Sequence, residues 1–278
     1  MITVTNKTST AQLPKPNNAQ YQPTPLSAIN TTSIKQDDTF GFTIRQSDKL
    51  NNLKALYSMF VNLTPQNVKD MKNKTNKEAA KYCYDLICKS MKIPNEIAPE
   101  FIIKTTNKEA PGLCGLYTYM TNELSYFSES AGNTKLGKWW TFGLIRHEME
   151  HFRQNIDILR SKELSEKLFE YYDKTLEDVG AAYKFSKQEI QDEKAEFRNI
   201  QKSFQSKILK YYPPIQAGTK EYKHAEKMLN NRMNYTLGTK GISDKLKYFI
   251  QPSEFEACRV QGFNWINYLS KRIKSIFI

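Results

Sequence analysis

Two of the three histidines stand four residues apart, in His147-Glu148-Met149-Glu150-His151. On a helix, four residues is slightly more than one turn, so both imidazoles leave the same face, about 6 Å apart. That separation lets two neutral ring nitrogens reach one Zn2+ at roughly 2.0 to 2.1 Å. Glu148 is rotated by about 100° from His147, so it need not ligate and can reach a water on the metal instead. A carboxylate there can take the proton of that water and later deliver it to a leaving amine. The spacing describes metal-assisted hydrolysis. Chance yields such a match in roughly two of a thousand chains of this composition. The competing reading is two histidines satisfied inside a helical core.

These residues need a helix to carry them, and the flanking pattern predicts one from about Leu136 to Arg160. Trp140, Leu144, Phe152, Ile156 and Leu159 supply the apolar spacing around the motif. Ahead of it the period changes to that of strands. Phe101-Ile102-Ile103, Leu116–Met120 and Leu124–Phe127 read as three strands, the last two forming a hairpin about the turn Thr121-Asn122-Glu123. Helices are expected over the stretch from Leu50, after the Thr64-Pro65 start signal, and over Lys77–Met91. Ser161–Tyr211 favours further helices, as do Lys220–Met233 and Pro252–Lys271.

The run Leu144-Ile145-Arg146-His147-Glu148-Met149-Glu150-His151 resembles the active-site helix of the zincin metallopeptidases. Gly115-Leu116-Tyr117 followed by Asn122-Glu123-Leu124 is similar to the edge hairpin that precedes this helix in many zincins. In that family the edge strand pairs with an extended substrate. Two positions depart from the usual signature: Glu150 is charged where the signature avoids charge, and Arg153 stands at a normally apolar or small position.

A catalytic zinc takes three protein ligands and keeps one position open. No third histidine follows at short range, since His151 leads into Phe152-Arg153-Gln154-Asn155, and His224 lies in a Lys/Glu-rich helix that reads as surface. The resemblance implies a glutamate, as in the gluzincins. Glu254 is the leading candidate. Pro252-Ser253 starts a helix, Glu254 falls in its first turn, and Ala257, three residues on, shares its face and permits close approach. Glu254-Phe255-Glu256-Ala257 looks like the Glu-x-x-Ala element of the gluzincins, and Tyr248 matches the tyrosine that assists the oxyanion there. Glu256 and Glu177 remain alternatives for the third ligand. Glu256 is about 200° from Glu254 on a helix, so only one of them faces the metal.

The chain has 278 residues, enough for one substantial core. Residues 1–45 are rich in Thr, Asn, Ser, Gln and Pro and read as a disordered tail. The expected domain therefore spans 46–278, with Ser161–Lys240 as a helical insertion. Its class is α+β and zincin-like: a small sheet with an edge hairpin, the HExxH helix and a C-terminal ligand helix. Cys83, Cys88, Cys114 and Cys258 form no disulfide framework or metal knuckle. No apolar run reaches the roughly 18 residues of a membrane span, and no export signal is recognisable, so a cytoplasmic location is the default. No Gly-rich phosphate loop or Gly-x-Ser-x-Gly is present, which leaves nucleotide and serine hydrolysis without support.

The formal charge of +12 gathers towards the C-terminal third, where Lys202–Lys274 holds 14 basic and 5 acidic residues. Scattered lysines of this kind read as a solvated helical surface, and nucleic acid is not the expected partner. The resemblance implies a zinc metallopeptidase acting on a peptide or protein. In it, His147, His151 and Glu254 hold the metal, Glu148 is the general base and Tyr248 assists. Two other classes stand beside it: a zincin fold that binds a partner without cleaving it, and a basic helical module for nucleic acid.

Overall fold

The computed structural model describes residues 44–58, 61, 64–106, 113–132, 138–234 and 250–262, all within one compact unit covering 41–278. The tail expected at 1–45 falls almost wholly outside the described residues. What is described is a mixed α+β arrangement, mostly helical, with one small sheet.

The first helices begin where capping chemistry tells them to. α1 covers Gln46–Leu56, α2 Pro65–Lys72 and α3 Asn76–Ser90. Thr64 and Asn67 form a reciprocal capping box ahead of Pro65, and Thr75 and Glu78 do the same for α3. Ala80, Cys83, Tyr84 and Ile87 bury one stripe of α3 in the core.

The sheet holds β1 (Glu100–Lys104), β2 (Gly115–Thr118) and β3 (Glu123–Phe127) in the order β1-β3-β2. β2 and β3 form the expected antiparallel hairpin, with Leu116 opposite Ser125 and Thr118 opposite Glu123. Tyr119 and Met120, read as strand, lie instead in the turn. That turn closes on Asn122, whose φ of 52° an asparagine tolerates. The Asn122 amide donates to the carbonyls of Ile97 and Ala98, tying the hairpin to the approach of β1. β1 runs parallel to β3. This leaves β2 at an edge of the sheet.

After the short α4 (Ser128–Gly132), α5 (Lys138–Leu159) passes through the middle of the molecule. Ile145, Met149, Phe152, Ile156 and Leu159 are buried in the core. A second stripe, Arg146, Glu150, Arg153, Asp157 and Arg160, is buried as well, and its charges alternate in sign. Glu150 bonds Arg146 at 3.0 Å and Arg153 at 2.6 Å, while Asp157 bonds Arg153 at 2.6 Å and Arg160 at 3.2 Å. Tyr57, at the end of α1, donates its hydroxyl to Asp157 at 2.6 Å and lies under the Arg153 guanidinium. The two departures from the zincin signature are thus members of one buried ion ladder. Burial disfavours the Glu150 charge, but Arg153 and Arg146 outweigh it and hold its carboxyl below the usual range.

α6 (Lys162–Tyr183), α7 (Lys187–Tyr211) and α8 (Lys220–Met233) fill the stretch expected as an insertion. α8 packs on both α5 and α6. Residues 252–262 form a last described helix. Among the described residues no helix is long and apolar enough to cross a membrane, and all four cysteines are free.

Candidate metal centre

His147 and His151 project from the third face of α5, their ring centroids 4.9 Å apart and nearly perpendicular. Glu254, in the first turn of the 252–262 helix, sets its carboxylate between them. Oε2 lies 3.4 Å from His147 Nε2 and Oε1 lies 3.3 Å from His151 Nε2. One ligand atom from each residue falls within 4.8 Å of the other two. Glu254 is buried, and Ala257, fully buried three residues on, permits the close approach of its helix.

The carboxylate and the imidazoles stabilise one another's charges. Burial works against a charged imidazole at His147, yet hydrogen bonds with Cys258 and Glu254 and the nearby Glu148 charge raise its pKa to about 10. Burial likewise opposes the Glu254 charge, and the two imidazoles overcome it, holding the carboxyl well below the usual range. Two imidazole nitrogens and a carboxylate oxygen are also a donor set that suits zinc.

Each histidine is held from behind. His151 Nδ1 is 3.0 Å from Gln154 Oε1, and His147 Nδ1 is 4.0 Å from Cys258 Sγ. The Gln154 amide nitrogen donates to the Ser253 carbonyl at 3.1 Å, so its oxygen is the atom that faces His151. The imidazole therefore donates from Nδ1 and keeps the Nε2 lone pair for a metal.

The helix that carries Glu254 is braced by α8. Asn231 accepts from the Ser253 N–H at 3.1 Å and from its hydroxyl, serving the first turn as a cap supplied from another helix. Glu256 turns away from the histidines. It meets Arg153 at 2.9 Å and His224 at 3.0 Å, which outweigh its burial and bring its pKa down to about 2. Glu256 is thus a brace rather than a ligand, and His224, read as surface, is the other end of it. Glu177 is exposed and pairs with Lys194. Tyr248 lies outside the described residues.

Glu148 occupies a different direction. Its Oε2 accepts the Tyr117 N–H at 2.9 Å. In the hairpin register, the Cys114 carbonyl accepts from Phe127 and Leu116 lies opposite Ser125. By alternation, Gly115 and Tyr117 turn their N–H and C=O groups outward from the sheet. Glu148 is therefore fastened to the edge of β2 that no described strand pairs with. At Gly115 a Cβ would fall 3.1 Å from both Glu148 Cγ and Oε1, so only glycine leaves the carboxylate this place without crowding.

Comparison with family models, curated proteins and solved structures finds no match. The chemistry of the site rests on its own geometry. Sequence reasoning passed over Gln154, Cys258 and Asn231. The first two carry a weak signal, since each stands three or four residues from a candidate ligand on the same helix face. Asn231 carries none, because it acts across helices.

Proposed function

We propose that the chain is a zinc-dependent metallopeptidase of zincin type, gluzincin-like in its third ligand. The observation that carries this reading is the meeting of His147, His151 and Glu254 beside a glutamate fastened to a strand edge that is unpaired among the described residues. His147 and His151 offer Nε2, and Glu254 offers its carboxylate. Bound zinc supplies a Lewis acid that lowers the pKa of water and polarises a carbonyl.

Glu148 handles the proton. Its Oε2 is engaged by Tyr117, which leaves Oε1 to accept a proton from water and return it to the leaving amine. The outward N–H and C=O of Gly115 and the C=O of Tyr117 can pair with an extended peptide and hold the scissile bond along the edge, while the Tyr117 N–H holds Glu148. The resemblance adds Tyr248 as a donor to the oxyanion.

The test is zinc per chain by elemental mass spectrometry, with peptide-library cleavage measured beside it. About one zinc is expected in the wild type and in Glu148→Gln, and much less in Glu254→Ala. Glu148→Gln should lose several orders of magnitude in turnover. Full activity in that variant, or no zinc in the wild type after reconstitution, would overturn the reading.

A further inference from the structure

Arg232, near the C-terminal end of α8, stacks over Tyr119 with its guanidinium carbon 3.8 Å from the ring centroid. Its Nη1 donates to Asn155 Oδ1 at 2.8 Å, and the Asn155 amide donates in turn to the Tyr117 hydroxyl at 3.3 Å. The other described arginines that are not exposed all face carboxylates: Arg146 and Arg153 meet Glu150, Arg160 meets Asp157, and Arg198 meets Asp173. Among the described residues no carboxylate lies within ion-pair distance of Arg232. Its charge is held in place by an aromatic ring and a neutral amide, both of which leave guanidinium N–H groups for another acceptor.

A second donor stands nearby. Tyr172 packs its ring 6.4 Å from that of Tyr119, and its buried hydroxyl has no hydrogen-bond partner among the described residues. Burial raises the pKa of this phenol and the charge of Arg232 opposes the rise. Both groups lie against the Tyr119 ring, and of the two the guanidinium, charged and without a carboxylate partner among the described residues, is the one that calls for an anion.

Two routes along the chain measure how far this place is from the proposed chemistry. Asn155 follows His151 by four residues on α5, about 6 Å. Tyr119, at the start of the turn, follows Tyr117, whose N–H holds Glu148, by two residues, at most about 7 Å of chain. An extended peptide advances by a similar amount over two residues.

We propose that Arg232 is a specificity subsite for the carboxylate of an Asp or Glu in the substrate, two or three residues from the scissile bond. The inference rests on the metallopeptidase reading and names its substrate class. The stack on Tyr119 holds the guanidinium in place before substrate arrives, which reduces the ordering cost of binding.

The experiment uses the zinc-loaded full chain. A peptide library gives the cleavage preference, and a matched pair differing only in Glu or Gln at the preferred position gives the discrimination in kcat/KM. The wild type should favour the Glu peptide by about ten-fold or more. In Arg232→Gln the ratio should fall to near one, and Arg232→Glu should turn the preference towards a Lys peptide. Zinc content, measured on each variant, reports whether the metal centre is intact. An absence of acidic preference in the wild type, or a preference that survives in Arg232→Gln, would overturn this inference and leave the metallopeptidase reading standing. Failure of the zinc-loaded wild type to cleave any library member would overturn both.

Discussion

Gln154 Oε1 sits 3.0 Å from His151 Nδ1, while the amide nitrogen of the same side chain reaches the Ser253 carbonyl of the helix that carries Glu254. One amide thus orients His151 on α5 and holds the helix that brings Glu254 opposite it. Gln154 belongs to neither a hydrophobic stripe nor the ion ladder, and it is buried.

Replacing Gln154 by Leu should remove both contacts. Zinc affinity, followed by competition with a chromogenic chelator, should weaken by about ten- to hundred-fold, the usual cost of losing a group behind a metal ligand. An unchanged affinity would mean that His151 is oriented by packing alone.

The ion ladder makes a stability prediction. Arg153 contacts Glu150, Asp157 and Glu256, all buried or nearly so. Arg153→Ala takes one partner from three carboxylates at once, leaving them Arg146, Arg160 and His224, and should cost about 3 to 5 kcal/mol, enough to lower Tm by roughly 10 °C. Calorimetry would check this, with the exposed pair Lys81–Asp85 as the contrasting case, where Lys81→Ala should cost under about 1 kcal/mol.

Gly115→Ala tests the seat of Glu148. The new methyl group would lie 3.1 Å from the Glu148 Cγ and Oε1 and 3.2 Å from Leu144, so the carboxylate has to shift. Zinc content should stay near one per chain while kcat falls by about ten- to hundred-fold. Wild-type kcat in this variant would remove the argument for a fixed Glu148.

Asn231→Ala takes away the cap that α8 lends to the 252–262 helix. Stability should drop by about 1 kcal/mol, as for other lost caps. Because that helix begins one residue or two before Glu254, zinc affinity should fall with it. A titration showing unaltered affinity would separate the cap from the metal centre.

The helices were legible to within a few residues, since Thr64-Pro65, the apolar stripe of α3 and the periodicity of Lys220–Met233 are local signals. So were His147, His151 and Glu254 as a group, because two short motifs carried them. The parallel pairing of β1 with β3 was not, as strand order depends on contacts that no local pattern encodes. The ion ladder had a visible signature: charges alternate in sign at three- and four-residue steps from Arg146 to Arg160. Glu150 and Arg153 looked like departures from a motif because that stripe was not followed along the whole helix. The roles of Asn231, His224 and Arg232 depend on where α8 lands against α5, which only the tertiary packing decides.

The helix that carries Glu254 is held in place by Asn231 and His224 of α8. During synthesis, a chain that has emerged only through α5 holds two imidazoles and a strand edge, without the carboxylate that completes the set. On the proposed reading such a nascent chain is hydrolytically silent, and activity begins when the last long-range contacts close. On that same reading, competence to hydrolyse peptide bonds is coupled to the completion of the fold.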